Sequence, residues 1–184
     1  TTKDTYECDS VVIAAGAETP KIAEILGSKF QNIHSQGATV ITDILPVPLF
    51  NSIAAMHSPR DLDSVLINSR QLTDGRVMIH GGTHAGSIAD ESIEDAEMLI
   101  QETAKYLPST RDLRVQEVRS ALRPMPPDGL PVLGRLTSTP NAYITYTHSG
   151  VTLAPMIGEM AALEIRTGVE TEILAPYRPE RFNR

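Results

Sequence analysis

The chain has 184 residues, 41% of them hydrophobic and 21% charged, with a formal net charge of −7. That length buries one substantial core or two small ones, and the scattered acidic balance argues against nucleic-acid or anionic-membrane partners. A single cysteine, Cys8, excludes an intrachain disulfide and fits a reducing, cytoplasmic setting, and no apolar run reaches membrane-spanning length.

The chain opens TTKDTYECDSVVIAAGAE, without Met, and enters an apolar run almost at once, which reads as a fragment of a longer chain. Val11–Ala15, β-branched and continuous, predicts a fully buried parallel strand ending at Gly16. Thr19 then serves as N-cap and Pro20 as first residue of a short helix that Gly27 closes. Strand, glycine and helix make half of a nucleotide-binding unit, or an ordinary βα corner.

From Gly37 the pattern changes. Strands are predicted over Ala38–Leu45, Ser64–Ser69 and Arg76–His80, the last two joined by the Asp74-Gly75 hairpin turn, so this sheet is antiparallel. After a polar loop, Ser92 caps a helix running to about Leu107, with Ile93, Ala96, Leu99, Ile100 and Ala104 on one stripe and Pro108 as its stop. Asp112–Arg119 alternates like a strand. A proline-dense extended run from Pro124 to Pro131 follows, then a turn at Thr139-Pro140-Asn141 and a strand over Ala142–Thr147. That strand breaks at His148-Ser149-Gly150 into a helix from about Thr152 to Gly168. Leu153, Met156, Ile157, Met160, Ala161 and Ile165 form its buried side, with Pro155 in the first turn. The tail Leu174–Phe182 reads as an extended basic strap. The fold class is α/β plus α+β, with residues 1–30 and 122–184 forming one domain and 31–121 another.

Several residues could carry chemistry. Arg123, held by Pro124 at a strand end, is either a planar carboxylate clamp or a structural arginine paired with an internal acid. Ser149, Gly150 and Val151 open a helix whose unpaired amides suit an anion, or Ser149 simply caps it. His80 and His84 are four apart, but Gly81-Gly82 between them breaks a helix, so no metal site is expected. His148-Ser149 lacks a G-x-S-x-G context and a third member, and adjacent residues are poorly placed to act as base and nucleophile.

Taken together, LRPMPPDGLPVLG, then HSGVTLAP, then PYRPERF, with VVIAAGAETP at the front and RVMIHGGTHAG between, resemble the C-terminal half of the D-amino acid oxidase superfamily. Within it, the chain resembles the glycine oxidase-like and sarcosine oxidase-like members. The resemblance implies the C-terminal part of a Rossmann-like FAD-binding domain with an antiparallel-sheet substrate domain inserted. It implies oxidation of an amine or amino acid, with hydride passing from the carbon bearing the nitrogen to flavin N5 and an imine as product. Arg123 then corresponds to the residue that binds the substrate carboxylate, and His84 to a variable position in the substrate pocket. Asp128, Gly129, Leu130 and Pro131 correspond to a loop that passes the flavin, with Asp128 fixing it. His148, Ser149, Gly150, Val151 and Thr152 correspond to the turn at the flavin's pyrimidine end, and Ala15 and Gly16 to the pyrophosphate and adenosine side.

Two departures matter. The G-x-G-x-x-G fingerprint of the family's N-terminal unit is absent, so holding FAD requires a complementary FAD-binding half or subunit. No cysteine stands near Arg123, so the FAD is expected to be non-covalent. A different class of reading stays open: a non-catalytic, flavoprotein-derived subunit or binding module.

Overall fold

The computed structural model describes residues 3–33, 36–49, 54–56, 65–83 and 93–182. His84 and the cap Ser92 lie outside the described residues. The chain is a mixed α/β protein that forms two compact units, Thr1–His34 with Arg123–Arg184, and Ser35–Leu122.

The first unit is built on a three-stranded sheet. β1 (Val11–Ile13) runs parallel to β8 (Ala142–Tyr146), and β8 pairs antiparallel with β7 (Val132–Arg135), a strand hidden in the sequence behind its prolines. β8 is central and almost wholly buried, as its apolar run requires. β1 is shorter than expected and not fully buried. Ile13 is 4% exposed, whereas Val11 and Val12 are 41% and 49% exposed, because among the described residues β1 has a strand neighbour on one side only.

Gly16–Glu18 form a 3-10 turn leading into α1 (Thr19–Ile25). Thr19 therefore lies inside the helix rather than capping it. It is buried, and its Oγ1 accepts the Ala15 N–H at 3.1 Å, which ties the turn to the helix. Pro20 occupies the first turn as expected.

The last helix, α3 (Gly150–Thr167), begins two residues earlier than the sequence suggested. Pro155 consequently sits in its second turn, where the missing N–H leaves the Val151 carbonyl without an intrahelical donor. Ile157 and Ala161 face inward, but Met156 is 53% exposed, and the buried stripe is completed by Glu164 at 2% exposure.

The tail is not extended. Glu172–Tyr177 and Pro179–Phe182 are 3-10 helices on either side of an extended Arg178. Arg178 grips Glu164 with both terminal nitrogens, at 2.6 and 2.7 Å, while the Tyr143 hydroxyl and the Thr171 N–H donate to the same carboxylate at 2.7 and 2.5 Å. Burial alone would raise this carboxyl; the bonds from Arg178, Thr171 and Tyr143 outweigh it and hold Glu164 down at about 2.

The second unit is a five-stranded antiparallel sheet in the order β3-β4-β5-β2-β6, with strands at Gln36–Ile44 (β2), Ala54–Met56 (β3), Val65–Gln71 (β4), Arg76–Thr83 (β5) and Val115–Leu122 (β6). The expected hairpin joins β4 and β5, and Asp74 closes its turn by accepting the Arg76 N–H. A register shift after Ile41 would strand the Val77 N–H; Thr42 Oγ1, fully buried, accepts it at 3.1 Å. α2 (Ile93–Ala104) packs Ala96, Leu99 and Ile100 on Val40, Val77 and Ile79. Leu99 comes so near Gly81 that a Cβ there would collide with it. Ile93 is 64% exposed, so the apolar stripe begins one turn later than predicted. No helix among the described residues is long and apolar enough to cross a membrane.

The Glu164 network sets the acid limit of the first unit. Unfolded, the carboxyl titrates near 4.5, and folded near 2. Between these values the unfolded chain binds more protons, so stability falls with pH through this window and the contribution is gone below it, a loss of about 3 kcal/mol. Glu164→Gln is expected to lower stability at pH 7 by about 3–5 kcal/mol, since it leaves Arg178 buried without its anion. Denaturant titrations of both proteins from pH 7 to 2 check this; an unchanged midpoint in Glu164→Gln would refute it.

Candidate active site

Three segments of the first unit carry most of the residues singled out by sequence. The first begins at Arg123, immediately after β6. Pro124 and Pro126 cannot donate to a ladder, so other groups must satisfy the polar backbone here. Asn32 does so: its Nδ2 donates to the Arg123 carbonyl at 3.2 Å and its Oδ1 accepts the Met125 N–H at 2.6 Å. The Ile33 N–H reaches the Met125 carbonyl at 2.9 Å, and the Tyr146 hydroxyl also donates to Asn32 Oδ1. Burial pushes Tyr146 up to about 12, so the hydroxyl stays a donor well into the alkaline range. Asn32 thus holds the Arg123 segment against the end of β8. Nothing in the sequence around Asn32 marks it for this task.

The second segment is the loop after Pro126. Gly129, at φ +74, closes a turn by donating to the Pro126 carbonyl at 2.9 Å, and Asp128 Oδ1 accepts the Leu130 N–H at 3.1 Å. Arg181 from the tail binds Asp128 through two nitrogens, at 2.6 and 3.0 Å, and holds its carboxyl below the usual carboxylate range. Leu130 is 46% exposed, and Pro131 leads into β7.

The third segment is the turn between β8 and α3. Ser149 adopts φ 59, ψ 32 and is the sole non-glycine at positive φ among the described residues. That conformation costs roughly 1–2 kcal/mol in an L-residue. It folds the chain so that the Thr152 and Leu153 amides return to the Ser149 carbonyl, at 3.0 and 3.1 Å. The Gly150 and Val151 amides meet no backbone acceptor among the described residues. The expected donor set therefore narrows to these two amides. Ser149 does not cap the helix through its side chain; its Oγ lies 3.1 Å from His148 Nδ1.

The two side chains thus meet, yet the contact does not make a hydrolytic pair. Burial first, and then the charge of Arg123, lower His148 from its ordinary value. A general base in acyl transfer needs its imidazolium stabilised, and a nearby guanidinium does the reverse. Arg123 and His148 lie in one neighbourhood because Asn32 ties the Arg123 segment to Tyr146, two residues before His148. Ala15 and Gly16 sit beyond the end of β1, Ala15 exposed and Gly16 at φ +57. A Cβ built on Gly16, Gly129 or Gly150 would touch nothing within 4 Å, so each borders open space. A separate groove of about 620 Å³, bordered by Lys21, Phe30, Pro127 and Phe182, contains none of the predicted site residues.

Replacing Arg123 by Gln removes the positive charge beside His148. The imidazole should titrate below its ordinary 6.5 in the parent chain and move upward in the variant, as followed by the ring proton shifts on NMR titration. Identical midpoints would show that the two groups are not coupled.

Comparison with known proteins then places the chain. It is 26% identical over 174 residues to an opine oxidase subunit of Rhizobium meliloti, covering 94% of this chain and 43% of that protein. It is 28% identical over 179 residues to glycine oxidase of Pseudomonas aeruginosa, covering 93% and 45% of the two chains. The crystal structure of glycine oxidase from Geobacillus kaustophilus superposes with a TM-score of 0.72 at 22% identity, covering 98% of this chain and 47% of that one. The chain thus spans about half the length of the relatives it matches. The profile of the FAD dependent oxidoreductase family, of D-amino acid oxidase type, matches residues 1–163, and the chain belongs to that family.

Proposed function

We propose that this chain is the C-terminal portion of a flavoenzyme that oxidises an amine or amino acid, with FAD bound non-covalently. In this reading the first unit is the C-terminal part of a Rossmann-like FAD-binding domain, and residues 35–122 are a substrate domain inserted into it. The observation that carries the proposal is geometric: Asn32 ties the Arg123 segment to Tyr146 of β8, two residues before the turn whose Gly150 and Val151 amides meet no backbone acceptor among the described residues.

Each residue has a physical task. The Arg123 guanidinium binds the substrate carboxylate in two parallel hydrogen bonds and so fixes the reacting carbon. His148, kept neutral by burial and by Arg123, adds no competing cation. The Gly150 and Val151 amides stabilise negative charge that develops on a ring seated against the turn. Asp128, Gly129, Leu130 and Pro131 form one wall of that seat, with Ala15 and Gly16 toward the pyrophosphate side. When bound, the flavin supplies the redox chemistry by accepting hydride from the carbon that bears the nitrogen.

The chain carries no G-x-G-x-x-G segment, so the ADP portion of FAD falls to another FAD-binding half or subunit. The exposed Val11 and Val12 on edge strand β1 support a protein partner there, and the similarity to one subunit of an opine oxidase supports a multi-subunit setting. A non-catalytic subunit would share those two features, and cofactor binding separates the readings. Chain mixed with a complementary FAD-binding half should turn yellow and oxidise a carboxylated amine; a stable, colourless complex would favour the non-catalytic reading. Arg123→Lys in the active complex should raise KM by one to a few orders of magnitude, the loss of a bidentate charged pair of roughly 2–5 kcal/mol. An unchanged KM for every carboxylated substrate would remove Arg123 from the site.

A further inference from the structure

We infer that Arg181, in the tail, is a positioning residue that shapes the 126–130 loop before any cofactor arrives. This rests on the proposed function, in which that loop borders the flavin. The loop is poorly held by its own atoms. Residues 127–130 are exposed, Gly129 sits at φ +74, and among the described residues its internal bonds are two short-range ones, to Pro126 and Asp128.

Arg181 supplies what the loop lacks. Its Nε and Nη2 donate to the two oxygens of Asp128 at 2.6 and 3.0 Å, and Nη2 also donates to the Leu130 carbonyl at 3.0 Å. The remaining nitrogen, Nη1, donates to the Tyr177 and Arg178 carbonyls at 2.8 and 3.2 Å. One planar guanidinium therefore spans from loop to tail, a reach that lysine's single ammonium cannot reproduce. The grip is rigid at its base: Arg181 lies 4.3 Å over the Phe182 ring, and Phe182 packs on Phe30, which packs on Tyr146 of β8. The Arg178–Glu164 pair fastens the tail to α3. Arg181 also lies beyond residue 163, where the family match ends.

The test is backbone amide exchange on this chain without FAD, followed by FAD titration of the reconstituted complex. Arg181→Lys and Asp128→Asn should each speed exchange of the Gly129 and Leu130 amides at least 10-fold, with the amides of β8 protected as in the parent. The double variant should add little, because both changes break the same contact. In the complex each variant should weaken FAD binding about 10-fold and alter the visible flavin absorption, a change that mere loss of global stability would not produce. Loop exchange at the parent rate, or faster exchange with unaltered FAD affinity and spectrum, would overturn the inference. Should the parent complex bind no FAD, the functional proposal fails, and the exchange data still decide whether Arg181 holds the loop.

Discussion

A carboxylate at 2% exposure stays ionised only if every lone pair is met, and the first unit is arranged around that requirement at Glu164. Its four donors come from the tail, from the segment after α3 and from the central strand β8. One residue thereby locks three pieces of chain that have little apolar surface in common. Among the described residues of the tail only Leu174 and Pro179 are buried, so hydrophobic contact alone would hold it weakly. The lock also explains a tight backbone approach: Gly134 of β7 lies where any Cβ would meet Arg178 and Pro179 at 3.1 to 3.2 Å.

From that anchor, order passes to the predicted site through a second polar residue. Asn32 meets backbone groups of Arg123 and Met125 and takes the Tyr146 hydroxyl, so a proline segment that cannot join a sheet is nonetheless registered on β8. β8 in turn delivers the strained Ser149 and the start of α3. Strain of this kind persists only where its surroundings over-determine the backbone, and here a buried strand on one side and an 18-residue helix on the other do so.

Much of this was legible in the sequence. Alternation and turn chemistry located the β4–β5 hairpin, the stripe of α2 and the strand-to-helix passage at His148–Gly150. What failed did so for identifiable reasons. Val11–Ala15 reads as buried because apolar runs do not reveal whether a strand is central or at an edge. Pro155 argued for a later start of α3, since helix entry is where proline is tolerated, yet Ser149 in the left-handed conformation starts the helix at Gly150. The tail reads as an extended strap, but the fixed φ of its prolines suits 3-10 turns equally well. Glu164 was the missed signal: a charged residue three places after Ala161 and seven after Ile157 breaks an apolar stripe, and a buried acid demands a cation, which the PYRPERF tail provides.

The electrostatics give the proposed chemistry its direction. A chain of net charge −7 repels anions at long range, so an anionic substrate requires a local reversal of sign. Arg123 supplies a permanent charge, and Gly150 and Val151 supply partial charges from amides outside the helix ladder. His148 does not join them as a second cation, because burial and Arg123 both oppose its protonation. His148 therefore adds no second full positive charge to that of Arg123 at neutral pH. A single fixed cation suits a single carboxylate, and the weaker amide dipoles suit charge that appears only as a reaction proceeds. In the proposed chemistry the guanidinium and the amides sit on different segments, one tied by Asn32 and the other by Ser149, so the two tasks would be separate.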